Sequence, residues 1–271
     1  MAKYGPRGTS ADHVGHSGEF RKLHLWKSDY QIERFDFQSI KSSKDILYNW
    51  LNGKKNTKQK MEGKLWIFSI FSALYSKGLA IIENVPTNMN GLPSLIKTAF
   101  LPPEITHYGD YFRVEQKFDA NNIAYTGATI GLHRDLPFYA NGPGVQLLHC
   151  IEQFKGQGGE NEFTDGFAVA NYIRENHPKE WKILTTYKCG FSDLGYDEAS
   201  NTTFYKIRYS PNIELNSEGE MIKINYNNQV RSRAMTKNVD DTKDFYSAMK
   251  LYDNLLYSNE YMLDYKLKEG E

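Results

Sequence analysis

The chain has 271 residues, enough for one large domain with a sizeable core. Lys and Arg number 33 and Asp and Glu number 33, so the formal net charge is zero, and nothing in it indicates nucleic acid or an anionic membrane as a partner. Two cysteines are too few for a disulfide framework, and the longest apolar run, 65–71, is too short to span a bilayer.

The first 30 residues are Gly-rich and polar and are expected to be loose at the start. They lack the apolar stretch of a secretory signal. The early acidic residues Asp12 and Glu19 are atypical of a mitochondrial presequence, which is acid-poor. We therefore expect a cytoplasmic protein, with a mitochondrial one as the alternative.

The next part of the chain predicts short helices and one buried strand. A helix is expected over 45–51, and a polar, partly basic stretch follows over 52–71. Gly78 is expected to end a second helix, and 79–83 reads as a buried strand. A third helix is expected over 92–100, where two prolines follow closely and stop it.

Two strands are predicted on either side of the central region, over 111–116 and 145–151. The second strand would place His149 among apolar side chains on one face. A histidine in that setting is more often a hydrogen-bonded core residue than a metal ligand, and we predict the core role.

The C-terminal half begins with two consecutive helices. Asp165 is expected to cap a helix that runs to about Asn176, and Pro178 suits the first turn of a second helix through Leu184. Beyond them, a hairpin is expected across 216–219.

The last predicted elements are a long helix and a strand. The helix starts at Asp240 or Asp241, and residues 261–267 alternate as a strand. One face of the helix carries an apolar stripe made of Phe245, Ala248, Met249, Tyr252, Leu255 and Leu256.

His133 and Asp135 are the candidate metal ligands. One residue separates them, so on an extended strand both side chains leave the same face. An imidazole and a carboxylate on one face are two members of the His-His-carboxylate triad of non-haem Fe(II) oxygenases. The spacing alone is a weak signal, because a surface or hydrogen-bonded pair is the commoner outcome.

The same run, His133 to Leu136, also matches the opening of a protein-kinase catalytic loop. That loop needs an Asn at position 140, where this chain has Ala. A Gly-rich phosphate loop is also missing upstream, so we reject the kinase interpretation.

Further motifs surround the pair, in a fixed order. They are Thr106 to Gly109, Asp119 to Thr126, Leu132 to Pro137, Pro143 to Ile151, Gly158-Gly159, Thr164 to Phe167 and Ile224 to Asn228. The series resembles the gamma-butyrobetaine dioxygenase and trimethyllysine dioxygenase family, which are TauD/TfdA-like Fe(II)/2-oxoglutarate enzymes. It is more similar to the butyrobetaine branch, because of Leu136-Pro137 and the run over 145–151.

The resemblance implies a mainly β (α+β) fold, a double-stranded β-helix or jelly roll with flanking helices, over 31–271. Residues 1–30 would be a remnant of the family's N-terminal zinc-type domain, and 52–71 would be an insertion. After Asp135 the histidines are His149 and His177. Neither matches the family's distal iron ligand, nor is its 2-oxoglutarate Arg found, so we expect a jelly roll that is incomplete at the C-terminus.

The resemblance also assigns roles to individual residues. His133 and Asp135 would bind Fe(II), with 2-oxoglutarate as cosubstrate and ascorbate as reductant. The side chains that would recognise a trimethylammonium substrate are the aromatic residues Tyr108, Phe112 and Tyr125, together with Asn122 and Asn227, which would hold its carboxylate. Without the family match each aromatic residue would be read as core.

The implied reaction is hydroxylation of γ-butyrobetaine to L-carnitine. Two alternatives stay open: a trimethyllysine dioxygenase, and an inactive family member that only binds a ligand or pairs with another subunit, for example as a homodimer.

Overall fold

A computed structural model of the chain describes residues 23–41, 69–99, 103–106, 109–115, 126–142, 144–197, 202–232 and 238–271. The strands are β1 (Arg34–Asp36), β2 (Ile81–Glu83), β3 (Asn161–Thr164), β4 (Cys189–Asp197), β5 (Thr202–Ser210), β6 (Ile213–Leu215), β7 (Met221–Ile224) and β8 (Met262–Tyr265). The helices are α1 (Gly91–Ala99), α2 (Gly166–Asn176), α3 (Pro178–Thr186) and α4 (Val239–Leu256). Residues 37–41 and 69–77 are also helical.

The strands of the described ranges form two-stranded sheets. β1 pairs with β2 in parallel, whereas β3 with β8, β4 with β5 and β6 with β7 are antiparallel. Residues 230–232 also bond to the outer edge of β4, through Ser192 N to Val230 O at 2.8 Å and Ser232 N to Gly190 O at 2.8 Å. The sequence predicts a mainly β chain, but helical residues outnumber strand residues here, so the content is mixed.

The larger core packs around α4, which contacts both α2 and α3. The predicted apolar stripe of α4 is confirmed, because its buried residues are Phe245, Ala248, Met249, Tyr252 and Leu256. A second core joins Phe35, Phe37, Ile40, Val85 and Leu95 near β1, β2 and α1. No helix in the described part of the chain is long and apolar enough to cross a membrane.

Asp165 caps α2, as the sequence predicts. Its Oδ1 accepts hydrogen bonds from Phe167 N at 2.9 Å and Ala168 N at 3.2 Å, which satisfies two backbone donors that a helix start leaves unpaired. Its Oδ2 accepts from Trp26 N at 3.0 Å. Burial raises the pKa of Asp165, and these three backbone donors oppose the shift. Pro178 begins α3 as predicted.

Trp26 belongs to a segment, residues 23–30, that crosses several elements of the fold. His24 N donates to Ser76 O at 2.8 Å, and the indole of Trp26 donates to Lys77 O at 2.8 Å, both at the end of the 69–77 helix. Ser28 N donates to Glu260 O at 3.0 Å, just before β8. The segment 23–30 is therefore hydrogen-bonded along its length to elements that are distant in sequence.

Several other predictions can be compared directly with the structure. Gly78 ends its helix with φ +76°, and the 79–83 strand, α1 and the β6–β7 hairpin are confirmed, the hairpin turning at Gly219 with φ +81°. The predicted helix over 45–51 and residues 52–68 of the predicted insertion lie outside the described residues.

Both strands predicted next to the central motif are wrong. Residues 111–115 and 145–151 have no strand, because the described residues supply no ladder of backbone partners. Among the described residues, the run 145–151 has backbone hydrogen bonds to another segment at Cys150. Its N–H donates to Glu271 O at 2.9 Å, and its carbonyl accepts from Gly270 N at 2.8 Å. Val145 is 52% exposed and Leu147, His149 and Ile151 are half-buried, so the predicted face of this run is not fully buried.

We expect Asp165→Ala to lower the free energy of unfolding by about 2 kcal/mol, because α2 loses its cap and Trp26 N–H loses its acceptor. Urea denaturation followed by circular dichroism measures this. The control is Asp241→Ala in the exposed first turn of α4, which should cost less than about 1 kcal/mol. Equal losses in the two variants would contradict the capping role.

Candidate metal centre

His133 and Asp135 lie together on one side of the loop 126–142. His133 Nε2 is 3.1 Å from Asp135 Oδ1, and the two side chains are 31% and 48% exposed, so solvent reaches both. The predicted juxtaposition of the two side chains is therefore observed. The extended strand assumed for the pair is not observed, because the loop 126–142 contains no strand.

The imidazole of His133 is oriented by its own loop. Its Nδ1 lies 2.8 Å from Gly131 O, a contact that places a hydrogen on Nδ1, and its Nε2 faces Asp135 Oδ1. Without a metal, the hydrogen bond with Asp135 raises the pKa of His133, while burial opposes this. A metal ion at Nε2 would take the place of that shared proton.

The distance between the two donor atoms fits a shared metal ion. Two ligand atoms that each lie about 2.1 Å from a metal, at a right angle, are about 3 Å apart. His133 Nε2 and Asp135 Oδ1 are 3.1 Å apart. Among the described residues, no group of three His, Cys, Asp or Glu side chains could hold a metal ion, so His133 and Asp135 remain a candidate pair.

We call the loop 126–142 the ligand loop, because it carries the two candidate ligands. Its backbone is held by residues from the C-terminal half of the chain. Leu132 N donates to the hydroxyl of Tyr257 at 2.6 Å, and Arg134 N donates to Tyr226 O at 2.7 Å. The side-chain Nδ2 of Asn227 donates to Arg134 O at 3.2 Å. These three bonds fix the backbone on both sides of His133.

Gly131 is needed for this arrangement. A Cβ at position 131 would lie 2.6 Å from the Tyr257 hydroxyl oxygen, closer than real contacts allow. Any side chain there would push the tyrosine away from Leu132 N. The same glycine carbonyl accepts from His133 Nδ1, so one residue serves both the backbone and the imidazole.

A buried polar network stands behind Tyr257. Burial, followed by Asp253 and Tyr257, raises the pKa of Tyr226, whose hydroxyl also accepts from Asn228 Nδ2 at 3.0 Å. Burial raises the pKa of Asp253 as well. Sequence reasoning missed Tyr257 and Asp253, because they follow one another at helical spacing on a distant helix and belong to no motif around the ligands.

The predicted substrate residues are only partly described. Tyr108, Asn122 and Tyr125 lie outside the described residues, whereas Phe112 is described and is 40% exposed. Asn227 is buried, and its Oδ1 accepts from the backbone N–H of Gln229 at 3.0 Å and of Val230 at 3.2 Å. The structure thus places Asn227 beside the ligand loop with its amide engaged by the protein, and its substrate role stays a prediction.

His149 lies against the start of α1 and does not form a group with His133 and Asp135 that could hold a metal ion. A Cβ added to Gly91 would lie 2.8 Å from His149 Cε1, so the ring packs directly on this glycine. The ring is half-buried, and burial lowers the pKa of His149. The predicted hydrogen-bonded core role is wrong for Nε2, which is buried without a hydrogen-bond partner in the described structure.

Comparison with known proteins places the chain in a family. The family model described as "Taurine catabolism dioxygenase TauD, TfdA family" matches residues 67–271, and the chain belongs to this family.

Its relatives include the gamma-butyrobetaine dioxygenase of Homo sapiens, 30% identical over 252 residues, which are 93% of this chain and 59% of that protein. The gamma-butyrobetaine dioxygenase of Pseudomonas sp. is 26% identical over 92% of this chain and 57% of its own length. The mitochondrial trimethyllysine dioxygenase of Bos taurus is 25% identical over 91% and 54%, respectively. The chain therefore spans somewhat more than half of the length of these relatives.

We expect Tyr257→Phe to weaken metal binding about tenfold or more, because Leu132 N–H loses its acceptor and the His133 loop loosens. Anaerobic titration with Fe(II), and with Mn(II) as an air-stable probe, measures the change in Kd. Tyr205→Phe, at an exposed position of β5, is the matched control. Lower stability with an unchanged metal Kd would make Tyr257 a folding residue only.

Proposed function

We propose that the chain is the metal-binding part of an Fe(II)/2-oxoglutarate-dependent dioxygenase that hydroxylates a trimethylammonium substrate, γ-butyrobetaine to L-carnitine. The observation that carries the proposal is the His133–Asp135 pair, with 3.1 Å between its donor atoms, in a chain of the TauD, TfdA family. The human and Pseudomonas relatives, both gamma-butyrobetaine dioxygenases, support the choice of substrate. The fold proposed for the whole domain is the jelly roll.

His133 would hold Fe(II) through Nε2 and Asp135 through its carboxylate. Bound iron would supply dioxygen activation together with 2-oxoglutarate, and ascorbate would keep the metal reduced. The role of the protein is to orient the imidazole through the 2.8 Å contact between Nδ1 and Gly131 O, which leaves Nε2 as the nitrogen that would bind the metal.

The proposed substrate site would use aromatic faces, because a quaternary ammonium cannot donate hydrogen bonds. The cage would consist of Tyr108, Phe112 and Tyr125, with Asn122 and Asn227 on the substrate carboxylate. Asn227 supports this placement by its bond to Arg134 O at 3.2 Å, which sets it next to the ligand loop. Trimethyllysine is the second candidate substrate, supported by the name of the bovine relative.

Location and assembly complete the proposal. The cytoplasm is the predicted compartment, and the name of the bovine relative supports the mitochondrial alternative. A small molecule is the proposed partner, without nucleic acid or membrane, and a homodimer is the proposed assembly.

We expect residues 1–271 alone to turn over little or no substrate, and a version extended by the family's distal His and Arg to be active. Without the family's Arg, 2-oxoglutarate would lose a charge-assisted bond of roughly 1.5–3 kcal/mol, about a tenfold to hundredfold loss of its affinity. The assay supplies Fe(II), ascorbate, 2-oxoglutarate and γ-butyrobetaine anaerobically, admits oxygen, and follows succinate and carnitine.

His133→Ala and Asp135→Ala in the extended version should abolish turnover, while the control His177→Ala should leave it unchanged. Equal turnover with and without the extension would mean that the third ligand comes from elsewhere, with His149 or a second subunit tested first. Extended protein that is active on neither γ-butyrobetaine nor trimethyllysine would refute the proposed reaction.

We expect Phe112→Trp to tighten γ-butyrobetaine binding by roughly twofold to fivefold, because Trp has the strongest cation–π attraction. Tyr125→Ala should weaken it by a similar or larger factor. Calorimetry with the extended protein measures both Kd values, and an isosteric substrate analogue without the positive charge is the control. Unchanged affinity in both variants would rule out the aromatic cage.

A further inference from the structure

The residue between the two metal ligands, Arg134, directs its side chain to a different set of partners. Its Nη1 donates to Asn225 Oδ1 at 3.3 Å, and an added Cβ on Gly142 would be 3.4 Å from its Nη2. Asn225 is fully buried and also donates to Glu214 Oε1 at 2.6 Å. Arg134 thus reaches a polar cluster on the far side of the ligand loop.

Two further cations meet at the same carboxylate. Arg208 of β5 donates through Nη2 to Glu214 Oε1 at 2.7 Å. Lys223 of β7 is the direct cross-strand partner of Glu214 in β6, so the two side chains share one face of the hairpin. We call Arg134, Arg208, Lys223 and Glu214 the cationic cluster.

One strong donor in the cationic cluster is unused. Arg208 Nη1 is buried and has no hydrogen-bond partner in the described structure, although the side chain as a whole is 22% exposed. A buried guanidinium N–H without an acceptor is costly, so such a group indicates a missing acceptor. The unused donor lies within the same guanidinium that binds Glu214.

The charges in the cationic cluster do not balance. Three cations surround one carboxylate, and burial, followed by the charges of Arg134 and Arg208, lowers the pKa of Lys223. Burial alone would raise the pKa of Glu214, but hydrogen bonds from Asn225 and Arg208 lower it overall, so it stays ionised.

Two other carboxylates lie close to the cationic cluster. Burial lowers the pKa of Arg134, and the negative charge of the nearby Asp135 opposes this shift. Asp193 lies opposite Lys206, two residues along β5 from Arg208. Asp135 contacts His133, and Asp193 lies opposite Lys206 in the strand register, so Glu214 is the carboxylate that the three cations of the cluster share.

We propose that the cationic cluster binds a small divalent oxyanion, of the class of inorganic phosphate, sulfate or the phosphate group of a small ester, between Arg208 Nη1 and Lys223. The ligand class follows from the excess of about two positive charges and from the unused guanidinium donor, which suits an oxygen acceptor. Bound there, the anion would separate Lys223 from the two arginines and stabilise the far side of the ligand loop.

The test compares thermal unfolding of the whole chain with 10 mM sodium sulfate or phosphate against sodium chloride at equal ionic strength. We expect the oxyanions to raise the Tm by about 2–5 °C in the wild type. Lys250→Gln, at an exposed position of α4, is the matched control and should show the same rise. Calorimetry with phosphate and with glycerol phosphate then distinguishes a free anion from an ester.

Lys223→Gln should lose most of the oxyanion effect and, in low salt, should be at least as stable as the wild type, because it removes a charge that repels Arg134 and Arg208. Arg208→Lys keeps the charge but lacks the unused donor, and should also lose most of the effect. An equal oxyanion effect in the wild type and both variants would be a general salting effect and would overturn the proposal.

Discussion

The hydrogen bond from Leu132 N–H to the hydroxyl of Tyr257, 2.6 Å long, is the contact on which the geometry of the candidate metal centre depends. Because the ligand loop contains no strand, it cannot set its own geometry and must take it from elements elsewhere. Tyr257 follows α4, whose apolar stripe is buried in the larger core. The packing of that helix therefore fixes the hydroxyl, and the hydroxyl fixes the backbone just before His133.

Residues 225–227 connect two neighbourhoods with different chemistry. The carbonyl of Tyr226 and the amide of Asn227 hold the backbone of Arg134, while Asn225 reaches the Arg134 side chain and Glu214. One short run therefore contacts both the backbone between His133 and Asp135 and the cationic cluster.

Local sequence signals predicted the parts of this fold that local chemistry determines. The cap at Asp165, the turn at Gly78 and the stripe of α4 each follow from a few neighbouring residues. The β4–β5 hairpin was missed, because one of its faces exposes apolar residues such as Leu194 and Tyr205 and hides the usual alternation.

Contacts between distant residues could not be predicted in this way. The pairing of Leu132 with Tyr257 spans 125 residues, and no periodicity encodes it. The H-x-D spacing predicted that the side chains of His133 and Asp135 lie together, which they do, even though the strand assumed for them is not observed. The reason is that hydrogen bonds from other elements can hold a loop as a sheet would hold a strand.

The segment 23–30 has a dynamic consequence of its own. Trp26 and the start of α2 share a single carboxylate, that of Asp165, across 139 positions of sequence. Amide groups that depend on one acceptor open together, so the Trp26 N–H and the first turn of α2 should behave as one cooperative unit in hydrogen exchange. If the segment 23–30 detached, the first structural change elsewhere would be at the start of α2, in the middle of the chain. The fluorescence of the Trp26 indole would report this detachment.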